Sequence, residues 1–274
     1  MVHVWEQLTK LLDRHPVSLL RWSPVSNSRR TEVTPGGHAS TLAAYRLLDA
    51  LAERYPGLAV LSSSTDLAMA RRASAIDSTT DAARRHREFV RWLQLRPPEL
   101  VWQPAYDESE EVTSAGFRAV SAFFGQLGLG LDLRRQTPPS LRSIHRWLAL
   151  YKRFRPLLHT GATVRSDDSS RGFLSHGVVA GDRDEALYAL VWLDRSAGRR
   201  VRFEGLDPTA RYRLEVVGPR PVDARAVTPA WSAGGEAPVL SGRALETVGV
   251  LVPAARRGSA LLLYLSTADQ ESRS

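Results

Sequence analysis

Apolar positions in the first two thirds of the chain recur at two alternating periods. Val4, Leu8, Leu11 and Leu12 fall at helical spacing, and His15-Pro16 ends that helix. Residues 17–22 are then almost continuously apolar, as expected of a buried parallel strand. Pro35-Gly36-Gly37 breaks the chain before a helix over 39–54, with Leu42, Leu47, Leu48 and Leu51 near one side. Tyr55-Pro56-Gly57 punctuates again, 58–61 reads as a strand, and 81–95 as a helix carrying Phe89, Val90, Trp92 and Leu93. Arg96-Pro97-Pro98 closes it, and 99–103 suits another strand. Phe117, Val120, Phe123 and Phe124 resume a helical period, and 127–133 is apolar but broken by glycine. A long helix over 139–155 starts after Thr137, which suits an N-cap. Strand-then-helix repeats of this kind predict a parallel sheet with crossover helices, either barrel or doubly wound.

After His159 the texture changes to short alternating segments at 177–180, 186–193, 199–203, 211–217, 244–251 and 260–265, with turn signals such as Gly205-Leu206-Asp207-Pro208 between them. The pattern predicts an antiparallel β module, with a loose loop over 219–242 and a fraying tail from 267. Two domains follow, 1–160 and 161–274.

Composition narrows the chemistry. Hydrophobic residues make up 43% and charged residues 24% of 274, enough for a core and against wholesale disorder. There is no cysteine, which excludes disulfides, thiolate metal sites and cysteine nucleophiles. The seven histidines, among them His86, His145 and His176, show no metal-ligand spacing, so no metal and no cofactor are expected. No apolar run approaches the roughly 20 residues that cross a bilayer, and no charged-then-apolar leader opens the chain, so a cytoplasmic protein without membrane contact is expected. The net charge of +8 invites a nucleic-acid reading, but the cations are spread along the chain and all but Lys10 and Lys152 are arginines. The densest groups, Arg84-Arg85-His86-Arg87 and Arg199-Arg200-Val201-Arg202, lack interleaved aromatics for base stacking, so no nucleic-acid partner is expected.

An ordered series of short words gives the chain a relative. Leu20-Arg21-Trp22-Ser23 followed by Asn27 and Arg29, Leu42 to Asp49 with Tyr55-Pro56-Gly57-Leu58, Thr80-Asp81-Ala82, Pro97-Pro98-Glu99, Phe124-Gly125-Gln126-Leu127-Gly128, and Leu150-Tyr151-Lys152-Arg153 with Arg155 to His159 resemble the C-terminal half of family 36 glycoside hydrolases, the α-galactosidases or melibiases. The resemblance runs over about residues 8–217. It implies α/β plus β architecture: a partial (β/α)8-barrel of the later strands and helices, followed by a C-terminal antiparallel β-sandwich. The family's N-terminal sandwich and first barrel strands have no counterpart. Half a barrel leaves sheet edges uncovered, so a homodimer or a complementing half-barrel chain is expected to close it.

The resemblance also implies retaining glycosidase chemistry on an α-galactoside, which needs two carboxyl groups about 5–5.5 Å apart. Where the family carries its nucleophilic Asp, this chain has Ser23. A serine at its free pKa is a weak nucleophile and cannot stabilise an oxocarbenium ion as a carboxylate does. The acid/base position falls on Ser78 without a gap and on Asp77 with one inserted residue; Asp77 is the candidate, against the alternative of an aspartate capping the next helix. Arg21 stands where the family has Lys, with Trp22 beside it, and Ser63 and Ser64 lie in the sugar-binding loop, which has lost its cysteine, glycines and arginine. The expectation is a truncated, catalytically impaired α-galactosidase relative; the alternative is a non-catalytic carbohydrate-binding or interaction protein derived from that family.

Overall fold

In the computed structural model, the described residues are 2–22, 37–62, 75–77, 82–92, 95, 97, 100–107, 115–166, 168–170, 172–218, 231 and 235–268. The chain divides into two compact units, Met1–Thr79 with Leu100–Trp102, and Thr80–Glu99 with Gln103–Ser274.

The first unit begins with helix α1 (Val2–Arg14), strand β1 (Leu19–Trp22), helix α2 (Gly37–Arg54) and strand β2 (Ala59–Ser62). Strand β3 (Ala75–Asp77) follows, and β4 (Val101–Asp107) contributes its first two residues. The strands pair in parallel in chain order, β1 to β2, β2 to β3 and β3 to β4, as the strand-then-helix alternation predicts. Leu47, Leu48 and Leu51 of α2 and Val60 of β2 form a buried cluster, and Trp5, Leu8 and Leu12 of α1 pack against it together with Leu20 and Trp22 of β1. A polar clip joins the C-terminal ends of the two helices: Tyr55 donates to Asp13 Oδ1 at 2.6 Å, and Arg54 donates to Asp13 Oδ2 at 2.9 Å and to the Tyr55 hydroxyl at 3.0 Å.

The second unit holds helix α3 (Ala82–Trp92), the remainder of β4, helix α4 (Ala115–Ala122), strand β5 (Gln126–Gly130) and the long helix α5 (Pro138–Thr160). Thr137 caps α5, its hydroxyl accepting from Ser140 N at 3.4 Å, and Pro138 occupies the first turn, where no N–H partner is missed. The helix passes Pro156 and continues to Thr160, one turn beyond the predicted end at 155. Proline removes one i→i−4 bond there, but Leu157 and Leu158 are buried and hold the last turn in place. Ile144, Trp147, Tyr151, Phe154 and Leu158 form the buried stripe of α5, three and four residues apart, and Tyr151 donates to Gly125 O at 3.1 Å.

The C-terminal strands are β6 (Ala162–Arg165), β7 (Phe173–Val179), β8 (Glu185–Trp192), β9 (Arg199–Val201), β10 (Arg211–Val217), β11 (Val239–Ser241), β12 (Val250–Val252) and β13 (Ser259–Thr267). Six make an antiparallel sheet in the order β11-β10-β13-β8-β7-β6, and β12 pairs with β9 as a separate ribbon. One face, carrying Phe173, Tyr188, Leu190, Trp192, Leu214, Leu261 and Leu263, closes on Val201, Phe203, Leu245 and Val252 to form the sandwich core. The other face lies under helices: α4 packs on β13 and β8, and α5 on β7 and β8. Both faces being covered explains why β8 is apolar from Ala186 to Trp192 instead of alternating.

The segment 244–251 departs from the predicted strand. It is a short helix α6 (Gly242–Thr247) followed by β12. The Ser241 hydroxyl accepts from Ala244 N at 3.2 Å as its cap, and Gly249, at φ +70°, reverses the chain at the end. Part of the expected loose loop is also ordered, since β11 runs within it. The tail from 269 lies outside the described residues.

Candidate functional site

The register of the parallel strands sets the site. Trp22, Ser62, Ile76 and Val101 are successive Cα partners across β1–β4, and Asp77 and Trp102 pair one position further on. Asp77 therefore ends β3 at the C-terminal rim of the sheet, where loops of α/β proteins gather reacting groups. Ser62, the last residue of β2, is fully buried at that rim, and Trp102 is half-buried.

Neighbouring side chains on a strand point to opposite faces. In β1 this alternation separates Arg21 from Trp22. Trp22, with Leu20, turns to the helix side and packs against the cluster of Leu47, Leu48, Leu51 and Val60; its indole Nε1 is buried without a hydrogen-bond partner among the described residues. Leu19 and Arg21 point to the opposite face and are exposed. Of the residues singled out from the sequence, Arg21 thus holds the open face of β1, Trp22 anchors the strand end, and Asp77 has its backbone at the rim. Ser23, Ser63, Ser64 and Ser78 lie outside the described residues. Trp102 joins the rim through its pairing with Asp77, and no reading of the sequence singled it out.

A recess of about 460 Å³ in the first unit lies elsewhere, lined by Leu12, Pro16, Val17, Tyr55, Pro56 and Leu58 at the N-terminal ends of β1 and β2. Arg54 and Tyr55, which also line it, are engaged with Asp13 in the clip, where the Tyr55 hydrogen bond, followed by that of Arg54, holds the Asp13 carboxyl below the usual carboxylate range. Among the described residues no three His, Cys, Asp or Glu side chains converge on a metal position, and no helix is long and apolar enough to cross a membrane.

No family model matches the chain. It is 29% identical over 236 residues to the α-galactosidase of Escherichia coli, covering 78% of this chain and 33% of that protein. It is 23% identical over 233 residues to α-galactosidase Mel36A of Lactobacillus acidophilus, covering 77% and 32%. The chain is α-galactosidase-like. In fold it is similar to the crystal structure of the α-galactosidase from Lactobacillus brevis, with a TM-score of 0.74 and 21% identity over 97% of this chain and 37% of that one. It is similar as well to a family 36 α-galactosidase, AgaA of Geobacillus stearothermophilus, in complex with 1-deoxygalactonojirimycin, with a TM-score of 0.73 and 20% identity over 97% and 38%. Variants of that enzyme were also crystallised with raffinose and with stachyose. This α-galactosidase-like chain spans about a third of the length of the curated relatives it matches.

Proposed function

We propose that the chain carries the later strands of a (β/α)8 barrel over 1–160 and a C-terminal sandwich over 161–274, and that the rim of β1–β4 is the remnant of an α-galactoside site. The observation that carries this reading is the register, in which Trp22 of β1 and Ile76 of β3 are both Cα partners of Ser62. Asp77 ends β3 after Ile76, and Ser23 follows Trp22 in the sequence. β1 and β3 are separated by one strand, so their backbones lie about 10 Å apart, and two inward carboxylates there would approach the spacing of a retaining pair.

In this reading Asp77 protonates the departing glycosidic oxygen, with Ser78 as the alternative occupant of that position. Ser23 offers a hydroxyl where covalent attack needs a carboxylate, so hydrolysis is impaired while recognition persists. Arg21, on the open face, donates to sugar hydroxyls, Ser63 and Ser64 contribute the adjoining loop, and Trp22 fixes the strand end from the helix side. The protein works in the cytoplasm without cofactor, nucleic acid or membrane, its open sheet edge closed by a second copy or a complementing half-barrel. The competing reading, a carbohydrate-binding protein with no turnover, is favoured by the same serine.

The deciding experiment compares the purified chain with its Ser23→Asp variant on an aryl α-galactoside, alongside calorimetric titration with raffinose. Raffinose binding by both proteins, with hydrolysis gained only by the variant, supports the impaired site. Turnover by the natural chain overturns the impairment, and absence of sugar binding in both overturns the site itself.

A further inference from the structure

His86 of α3 and His176 of β7 meet inside the second unit, where both side chains are buried, at 0% and 1% exposure. Their ring centroids are 5.1 Å apart, and Phe124 and Phe89 close around His176 at 4.7 and 5.9 Å. The pair makes one contact with a polar atom among the described residues, His86 Nδ1 to the Ser121 carbonyl of α4 at a long 3.4 Å; His86 Nε2 and both nitrogens of His176 are buried without a partner. Two imidazoles face each other in an apolar setting that rewards their neutral forms and penalises charge on either.

Among the described residues no carboxylate contributes to the proton affinity of either ring. β6 and β8 flank His176 with Arg165 and Ala189, while α4 brings the Ser121 carbonyl to His86. On its own helix His86 is flanked in sequence by Arg84, Arg85, Arg87 and Glu88. Burial, slightly opposed by the Ser121 carbonyl, takes His86 down to about 4, and burial reinforced by the neighbouring His86 takes His176 well below 6.5.

We propose that the His86–His176 contact is an acid-sensitive latch: protonation of either ring is incompatible with the closed packing, so mild acid releases α3 and α4 from the six-stranded sheet before the sandwich core opens. The direction follows from linkage. Each ring binds its proton more tightly when released, so closure is fully favoured above pH 6.5 and is lost as pH falls from there towards 4. The carboxylates held low in the fold, Asp13, Asp132, Asp168 and Asp207, sit below 3.8 and act at still lower pH than these two histidines.

Amide hydrogen exchange on the full chain, corrected for intrinsic rates, tests this at pH 7.5 and pH 5. Protection over 82–92 and 115–122 is expected to fall about 30-fold at pH 5 for one proton, and towards a thousandfold for two, while β8 and β13 stay protected. In His86→Gln/His176→Gln the ratio between the two pH values is expected to shrink to near one. That ratio compares one protein with itself, so it stays readable even if the substitutions lower stability at both pH values. An unchanged ratio in the variant, equal loss in β8 and β13, or a ring resonance of either histidine titrating near 6.5 in the folded protein would each overturn the latch.

Discussion

Arg21 and Trp22 are adjacent in sequence and face opposite sides of the parallel sheet, one exposed and one packed among Leu47, Leu48, Leu51 and Val60. The split makes two roles separable. Trp22→Ala removes a large ring from the helix–sheet core and is expected to lower stability by about 3 kcal/mol. Arg21→Ala is expected to change stability by less than about 1 kcal/mol while weakening any α-galactoside binding. Urea unfolding and sugar titration on the two variants check this. A Trp22→Ala protein of full stability would contradict the packing role.

Gly177 lies across the β7–β8 ladder from Tyr188 so closely that a Cβ there would stand 2.4 Å from the ring and 2.7 Å from the Leu187 carbonyl. Both neighbours are fixed, since Tyr188 donates its hydroxyl to Glu204 O at 2.6 Å and the carbonyl belongs to the strand backbone. Gly177→Ala is therefore expected to destabilise the second unit by about 2–4 kcal/mol, read as a lowered urea midpoint.

The helical periods and turn breaks were legible because each element buries one stripe or run: α2 and α5 each came out within a few residues of their predicted limits. Segment 244–251 was not, because a six-residue helix followed by a strand leaves the same apolar spacing as a continuous strand, and the Ser241 cap with Gly249 was the signal that separates them. β3 and β6 escaped because Ala75–Asp77 and Ala162–Arg165 are too short to show alternation and lack the apolar run that marks 17–22 and 58–61. At the candidate site, residue types were readable but directions were not. Alternation placed Trp22 on the helix side, a fact that depends on which face of β1 meets α2. The His86–His176 contact joins residues 90 positions apart and has no local signature at all.

Asp168 anchors the ribbon side of the sandwich. It accepts from Arg202 Nη2 at 3.1 Å, Nε at 3.2 Å and the backbone N at 2.9 Å, and its carbonyl accepts from Arg199 at 2.8 Å. Burial alone would raise its carboxyl, but the hydrogen bonds and charge of Arg202 outweigh that and hold it below the usual range. A lowered pKa in the fold means that the stabilisation is complete above the unfolded value of 3.8 and disappears as pH falls through the folded one. With Arg202 partly exposed, the contribution is about 1 kcal/mol. Asp168→Asn is expected to be less stable than the natural protein by a constant amount above pH 5, with the gap closing towards pH 3 in parallel urea titrations.

Tyr264 of β13 supplies the opposite sign at the alkaline end. Its hydroxyl donates to Glu185 Oε2 at 2.9 Å, while Arg153 lies 5.5 Å from its ring centre. Burial, then the hydrogen bond to Glu185, push the phenol from 10.0 up to about 12. A raised pKa in the fold places the stabilisation below pH 10 and removes it as pH climbs towards 12. Allowing for partial exposure, the loss across that interval is about 1–2 kcal/mol. In Tyr264→Phe the hydrogen bond is absent at every pH and this alkaline loss disappears. Unfolding midpoints between pH 9 and pH 11.5 should therefore converge for the two proteins, and parallel curves would show that Glu185 does not govern the phenol.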